Sequence, residues 1–296
     1  MIKSFINKNS YEYYENASLT NYNSYRINVI CNYLIFPKNT DELIDLLKFL
    51  KKNNYKFLIL GNGSNVIFKN EFYDGVVIRL DRLNKVITDG NLVRVEAGCL
   101  LPKLSMDMSM KGLSGLEFAS GIPGFIGASV AMNAGAYKKA FSDIVLSVDV
   151  INPDGEIITM SNSEIDFDYR DSFFKSNKDY IIVSVLLQLE NKDPKEILEK
   201  ISRRRVKRIE SQPLNFPSAG SVFRNPEGYS AGALIEQCGL KNYRIGGAVV
   251  SEKHANFIIN VGGATGKDII MLIDLVREKV KEKFNIELIL EQIIID

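Results

Sequence analysis

The chain has 296 residues, 46% of them apolar, the composition of a folded globular protein with material for more than one core. Thirty-seven basic and 36 acidic residues leave a formal charge of +1, so no global field draws the chain to nucleic acid or a membrane surface. No apolar run reaches the ~18 residues of a membrane span, and the polar start "MIKSFINKNSYEYYEN" lacks the apolar centre of an export signal. Cys31, Cys99 and Cys238 are scattered and odd in number, which gives neither a metal spacing nor a disulfide framework and points to reduced, cytoplasmic thiols. With His254 as the single histidine, a histidine-rich metal site is excluded and a Ser-His-Asp triad would rest on that one residue.

The first regular signal is a helix that opens at Asn39, with Glu42 as its reciprocal partner. Leu43, Leu46, Leu47 and Leu50 then line one face. Strands are expected at "YKFLIL" (55–60), "GVVIRL" (75–80) and "LVRVEAG" (92–98), and a short helix over 100–112. "IVLSVDVINPDGEIITM" (144–160) reads as a hairpin about Asn152-Pro153-Asp154-Gly155, and "DYIIVSVLLQL" (179–189) as a further strand. A charged helix over 194–210 suits a connection between lobes. After it come a turn-rich loop, a short helix between Ser230 and Gly239, the strand "ANFIINVGG", a long helix from Thr265 and a final strand "IELILEQIIID". Strands and helices mix without a βαβ rhythm, so the class is α+β.

Several stretches carry chemistry. "LILGNGSNVIF" (58–68) sets a glycine-rich turn directly after a strand, where bare amides cradle a phosphate or simply turn the chain. Its spacing is not G-x-G-x-x-G, which argues against an ordinary dinucleotide fold. "GIPGFIGASVAMNAGAY" (121–137) is a second such stretch, suited either to a closely approaching ligand or to a small-residue crossing between packed elements. Two glycine-rich loops favour one extended ligand such as a dinucleotide. Arg170 lies among aromatics and is either a surface ion-pair member or a fork for an anion. Ser221, in "PSAGSVFRNP", is either a turn hydroxyl or a catalyst awaiting a partner. Glu291 is an acid inside an apolar run, where burial is costly unless the group is paired or protonated. "RRRVKR" (203–208) reads as a solvated helix face rather than a nucleic-acid site.

Together, "NSYRI" (23–27), "GNGSN" (61–65), "GLSGLEFASGIPGFIGASVAMNAGAY" (112–137), "YRDSFF" (169–174), "PSAGSVFRNP" (217–226), "AGALIEQCGLKNYRIGGAVVSEKHANFIIN" (231–260) and "EQIII" resemble the UDP-N-acetylenolpyruvoylglucosamine reductase family, in its order and over almost the full chain. The lack of an insertion between 225 and 260 resembles the family's shorter, second type. The resemblance implies a two-lobed FAD-binding domain of vanillyl-alcohol-oxidase (PCMH) type over 1–206, with its core at about 20–190, and a smaller α+β substrate-binding domain over 207–296. It implies non-covalent FAD held by Asn62, Gly63, Ser64 and Asn65 in one loop. Gly121, Pro123, Gly124, Gly127, Ala128, Ser129, Asn133 and Gly135 match the other flavin loop. Arg170, Ser221 and Glu291 match the catalytic residues, and Arg224, Asn225 and His254 fall in substrate-contacting stretches. The implied reaction is NADPH-driven reduction of an enolpyruvyl UDP-sugar in peptidoglycan precursor synthesis, by a cytoplasmic monomer with no metal, membrane or nucleic-acid partner. NADPH and the UDP-sugar are expected to use one cleft in turn. Histidyl flavin attachment from the FAD lobes is impossible with His254 alone, and attachment through Cys99 is the remaining covalent route. A covalent-flavin oxidase on the same fold, a nucleotide binder without chemistry and a basic-helix nucleic-acid binder are the rival readings. The chain departs from the family pattern at Ala128, where many relatives have glycine, at Lys138 and Lys139 for glycine, and at Leu290 for proline. Glu287 is a rival for the role of Glu291.

Overall fold

The computed structural model describes residues 1–296. The chain divides into two compact units, the first of Met1–Glu15, Tyr33–Gly61 and Gly75–Arg205, the second of Asn16–Asn32, Asn62–Asp74 and Val206–Asp296. The second unit is thus assembled from three separate chain segments. It takes in residues 62–65 of the first glycine-rich turn.

In the first unit the helix Thr40–Lys52 starts as its sequence dictates. The Asn39 side chain accepts the Glu42 N–H, and Leu43, Leu46, Leu47 and Leu50 are buried. The Glu42 carboxylate accepts the Lys38 N–H, one residue upstream of the expected reciprocal bond. Residues 12–15, 33–36, 75–79 and 57–60 of this unit lie in that order in one sheet, its last pair parallel. The other is antiparallel, in the order Ile157–Ser161, Val145–Ile151, Ile181–Gln188, Leu92–Glu96, Val86–Asp89. The expected hairpin forms, with Gly155 at φ +81° and the Asn152 side chain accepting the N–H groups of Asp154 and Glu156. A single apolar cluster runs from Ile2 through Leu50, Val76 and Val95 to Leu187 and Leu189.

The second unit holds a three-stranded antiparallel sheet of Arg244–Ile245, Ala248–Val250 and Ile258–Asn260. Beside it runs the helix Gly266–Phe284, opened by a capping box in which Thr265 and Asp268 exchange bonds. Its buried residues include Ile269, Leu272, Ile273, Val276 and Val280, as the 3.6-residue period requires. Val66–Phe68 pairs in parallel with Ile293–Ile295. Gly266 lies where a Cβ would collide with the Phe68 carbonyl, so the helix starts against that strand only because its first residue has no side chain.

Two expectations need correction. The final strand is not 286–296 but Ile293–Ile295, preceded by an isolated bridge between Leu290 and Phe223. Leu288 is buried without a strand partner, so the apolar alternation there reports burial rather than a ladder. The stretch 121–137 is not loop throughout, because Ile126–Ala131 is helical with Ile126, Gly127, Ser129 and Val130 buried. Burial overrides the poor helix propensity of Gly127 and of the β-branched Ile126 and Val130. The helix Ile2–Lys8 and the strands Glu12–Ser18 and Ile30–Phe36 were not anticipated. The charged helix Pro194–Ser211 buries only Ile197 and Ile201. No helix of the chain is long and apolar enough to cross a membrane.

Candidate functional site

In the first unit, the second glycine-rich stretch is a packed element with one open side. Gly127 donates to the Ala97 carbonyl at 3.0 Å, and a Cβ on it would lie 2.8 Å from that of Ala97. A Cβ on Gly124 would lie 2.7 Å from the Ser129 hydroxyl. Gly127 is thus required by packing within the protein, and Gly124 leaves room for the Ser129 side chain. Pro123 and Ala128 are exposed and Gly121 half-buried. A Cβ on Gly61 would come within 2.9 Å of the Ala128 methyl, so the end of the strand Phe57–Leu60 adjoins the second loop there.

Arg79 fixes this arrangement. Arg79 is 4% exposed, and its guanidinium forks onto Asp81 at 2.8 and 2.6 Å, donates to the Gly61 carbonyl and lies 4.9 Å from the Phe125 ring centroid. Sequence reasoning missed it, although its signal is that of Glu291: a charge inside an apolar strand, "GVVIRL".

Arg170 belongs to the same unit. Its guanidinium donates to the carbonyls of Asn133 and Gly135, while the Asn133 side chain donates to the Asp168 carbonyl and accepts the Ser142 N–H. The second loop and the "YRDSFF" segment are therefore one hydrogen-bonded body. Arg170 itself is at φ +56°, a left-handed conformation that an L-residue adopts at a cost of about 1–2 kcal/mol. Such strain concentrates at functional sites.

A small hairpin follows Asn133. Gly135–Ala136 pairs antiparallel with Lys139–Ala140, leaving Tyr137 and Lys138 as a two-residue turn, both at positive φ, +56° and +61°. That is a type I′ turn, which favours glycine. The Tyr137 ring lies 4.4 Å from the Arg204 guanidinium, and its hydroxyl donates to the Arg204 carbonyl.

In the second unit the first glycine-rich turn is held from both sides. Gly63 is at φ +65°, and a Cβ there would strike the Tyr22 carbonyl. The Ser24 N–H donates to the Gly63 carbonyl at 3.0 Å. The amides of Gly63, Ser64 and Asn65 donate to no group of the protein. Three successive main-chain donors left open beside an immovable glycine fit the pyrophosphate of a dinucleotide cofactor.

The same unit carries Ser221 and Glu291. The Asn65 side chain donates to the Glu291 carbonyl at 3.2 Å, and the Ile293 N–H donates to the Asn65 carbonyl at 2.9 Å. The Glu291 N–H donates to the Val222 carbonyl at 2.8 Å. Asn256, 4% exposed, accepts the N–H groups of Val222 and Phe223 and donates to the Phe223 carbonyl. First turn, serine loop and glutamate are one framework, although they stand far apart in sequence. Glu287 is exposed and ion-paired with Arg277 at 3.6 Å, whereas Glu291 is half-buried.

The three remaining residues are occupied locally. The Asn225 side chain accepts the Ala231 N–H at the start of a helix, and the Arg224 N–H donates to the Ile289 carbonyl. His254 is half-buried against Phe257, and its Nδ1 accepts the Asn256 N–H. Burial holds its pKa below the ordinary 6.5.

Two family models match the sequence: an FAD binding domain over residues 31–161, and the C-terminal domain of UDP-N-acetylenolpyruvoylglucosamine reductase over 212–295. The chain is 45% identical over 278 residues to the UDP-N-acetylenolpyruvoylglucosamine reductase of Carboxydothermus hydrogenoformans, covering 94% of this chain and 92% of that protein. It is 42% identical to the enzyme of that name from Caldanaerobacter subterraneus subsp. tengcongensis, with the same coverage. Among solved structures, that of UDP-N-acetylenolpyruvylglucosamine reductase from Thermus caldophilus superposes with a TM-score of 0.82 at 33% identity, covering 97% of this chain and 99% of that one.

Proposed function

The chain belongs to the UDP-N-acetylenolpyruvoylglucosamine reductase family, and from that premise we propose how its residues divide the work. It is an FAD-dependent oxidoreductase that reduces UDP-N-acetylglucosamine enolpyruvate to UDP-N-acetylmuramate for peptidoglycan synthesis, with NADPH as reductant. Bound FAD supplies the hydride relay between NADPH and C3 of the enolpyruvyl group. The rest is positioning and charge, and falls to the protein.

We assign FAD binding to residues 1–206 and substrate binding to 207–296. The open amides of Gly63, Ser64 and Asn65, with Asn62, hold the pyrophosphate. Gly121, Pro123, Gly124, Gly127, Ala128, Ser129, Asn133 and Gly135 shape the wall for the flavin, with Gly124 and Gly127 acting through the packing they permit. Arg224, Asn225 and His254 border the UDP-sugar.

Hydride addition at C3 drives an electron pair toward the substrate carboxylate, and a proton at C2 completes the reduction. Arg170 answers that charge with a guanidinium that cannot deprotonate, forked onto the carbonyls of Asn133 and Gly135. Ser221 delivers the proton to C2. Glu291, as a neutral acid, donates a hydrogen bond to the same carboxylate oxygens. The observation that carries this reading is the bond from the Glu291 N–H to the Val222 carbonyl, which fixes the glutamate beside the residue that follows Ser221. The protein works as a monomer in the cytoplasm.

Stopped-flow absorbance of the flavin tests the assignment. Ser221→Ala keeps bleaching by NADPH and slows reoxidation by the enolpyruvyl UDP-sugar by about 10² or more, the scale of a lost general acid. Reoxidation at the parent rate would remove Ser221 from the mechanism.

A further inference from the structure

Gln292 follows Glu291 and is 3% exposed, and its side chain is fully engaged. Its Nε2 lies 3.1 Å from the carbonyl oxygen of Ala219, 3.4 Å from that of Gly220 and 3.4 Å from that of Ser221. Three acceptors around one atom demand the NH₂ end of the amide there, which leaves Oε1 for the Tyr25 hydroxyl at 3.0 Å. Tyr25 is itself fully buried, and its carbonyl accepts a bond from the Asn260 side chain at 2.8 Å. The main chain on either side of Gln292 is tied to Asn65, through the Glu291 carbonyl and the Ile293 N–H.

The serine loop has no regular structure between Pro217 and Val222, and Gly220 is at φ +75° with open space around it. Nothing in its own backbone fixes the direction of Ser221. Downstream, Val222 is held by Asn256 and by the Glu291 N–H. Upstream, the single amide of Gln292 gathers three consecutive carbonyls.

We infer that Gln292 is a positioning residue for Ser221, with Tyr25 fixing the amide's orientation, so that the serine hydroxyl is presented to C2 at the distance proton transfer needs. This rests on the assignment of Ser221 as proton donor. A displacement of about 1 Å in such a group can cost up to ~10²-fold in rate. Flavin reduction by NADPH does not use Ser221, so a loosened serine loop affects one half-reaction alone.

The experiment measures the two half-reactions separately in Tyr25→Phe, Gln292→Leu, Gln292→Glu and Ser221→Ala. Gln292→Leu is expected to reoxidise about tenfold more slowly with a larger solvent deuterium effect, while bleaching by NADPH stays within about twofold. Tyr25→Phe, which removes one oxygen, follows in the same direction with a smaller change. Gln292→Glu has no donor when ionised and regains one when protonated, so its reoxidation rate recovers as pH falls. Combined with Ser221→Ala, Gln292→Leu adds no further slowing. Parent-like reoxidation in Gln292→Leu beside a slow Ser221→Ala overturns the positioning role alone. Parent-like reoxidation in Ser221→Ala overturns the proton-donor assignment itself. A parallel loss of both half-reactions and of FAD in Gln292→Leu and Tyr25→Phe marks a purely structural residue, and also overturns the inference.

Discussion

Lys138 occupies the second position of the type I′ turn at φ +61°, and its replacement by glycine stabilises the protein. An L-residue in the left-handed region costs about 1–2 kcal/mol, which glycine avoids. Glycine in turn loosens the unfolded chain by about 0.4–1 kcal/mol, so the net gain is near 1 kcal/mol. The lysine side chain is exposed and makes no hydrogen bond or ion pair, so nothing is lost with it. Urea denaturation and calorimetry of Lys138→Gly read the gain, with a rise of about 2–4 °C in Tm for a domain of this size. Lys138→Ala is the control: alanine keeps the strain, so its midpoint stays at the parent value. Were Lys138→Gly no more stable than Lys138→Ala, the turn would not be strained. The turn has a second support in Tyr137 against Arg204, which is how the hairpin below Arg170 tolerates the missing glycine.

Two further outcomes concern the second unit. Glu291→Gln retains a hydrogen-bond donor and should lose less of the reoxidation rate than Glu291→Ala, and equal losses would count against a neutral-acid role. His254, whose pKa burial lowers, binds its proton more readily in the unfolded chain. Its stabilising contribution is complete above pH 6.5 and is lost as pH falls below that value through the lowered folded pKa. Urea midpoints at pH 7.5 and 5.5 should diverge more in the parent than in His254→Asn, which keeps an acceptor for the Asn256 N–H. Identical pH dependence in the two proteins would place the acid sensitivity elsewhere.

Much of the fold was legible where local rules agree with burial. Asn39, Thr265 and the apolar stripes that follow them located their helices, and Asn152–Gly155 located the hairpin turn. The helix Ile126–Ala131 was hidden because six residues are too few to hold a helix on their own and these are ordered by what they pack against. The stretch 286–292 looked like a strand because its leucines alternate inward, yet it has one bridge and no ladder. Of the residues that act by long-range polar contact, Arg79, Asn256 and Gln292 left one trace, a polar side chain beside or within an apolar run, and Tyr25 left none. No spacing rule tells which partner such a group will find. The resemblance to relatives identified Ser221 and Glu291, whereas Gln292 emerged only once the carbonyls around its amide were in view.

Asn65 reaches Glu291 across 226 positions of sequence, and Tyr25 reaches Gln292 across 267. Closing loops of that length costs little more than closing shorter ones, but contacts of such separation form late and slow folding. A chain emerging from the ribosome carries its first glycine-rich turn held on the Ser24 side but not on the Glu291 side until residues 291–295 have been made. Cofactor turn, serine loop and glutamate then become competent in one late event. A chain halted before that point lacks the bonds that tie the cofactor turn to the glutamate.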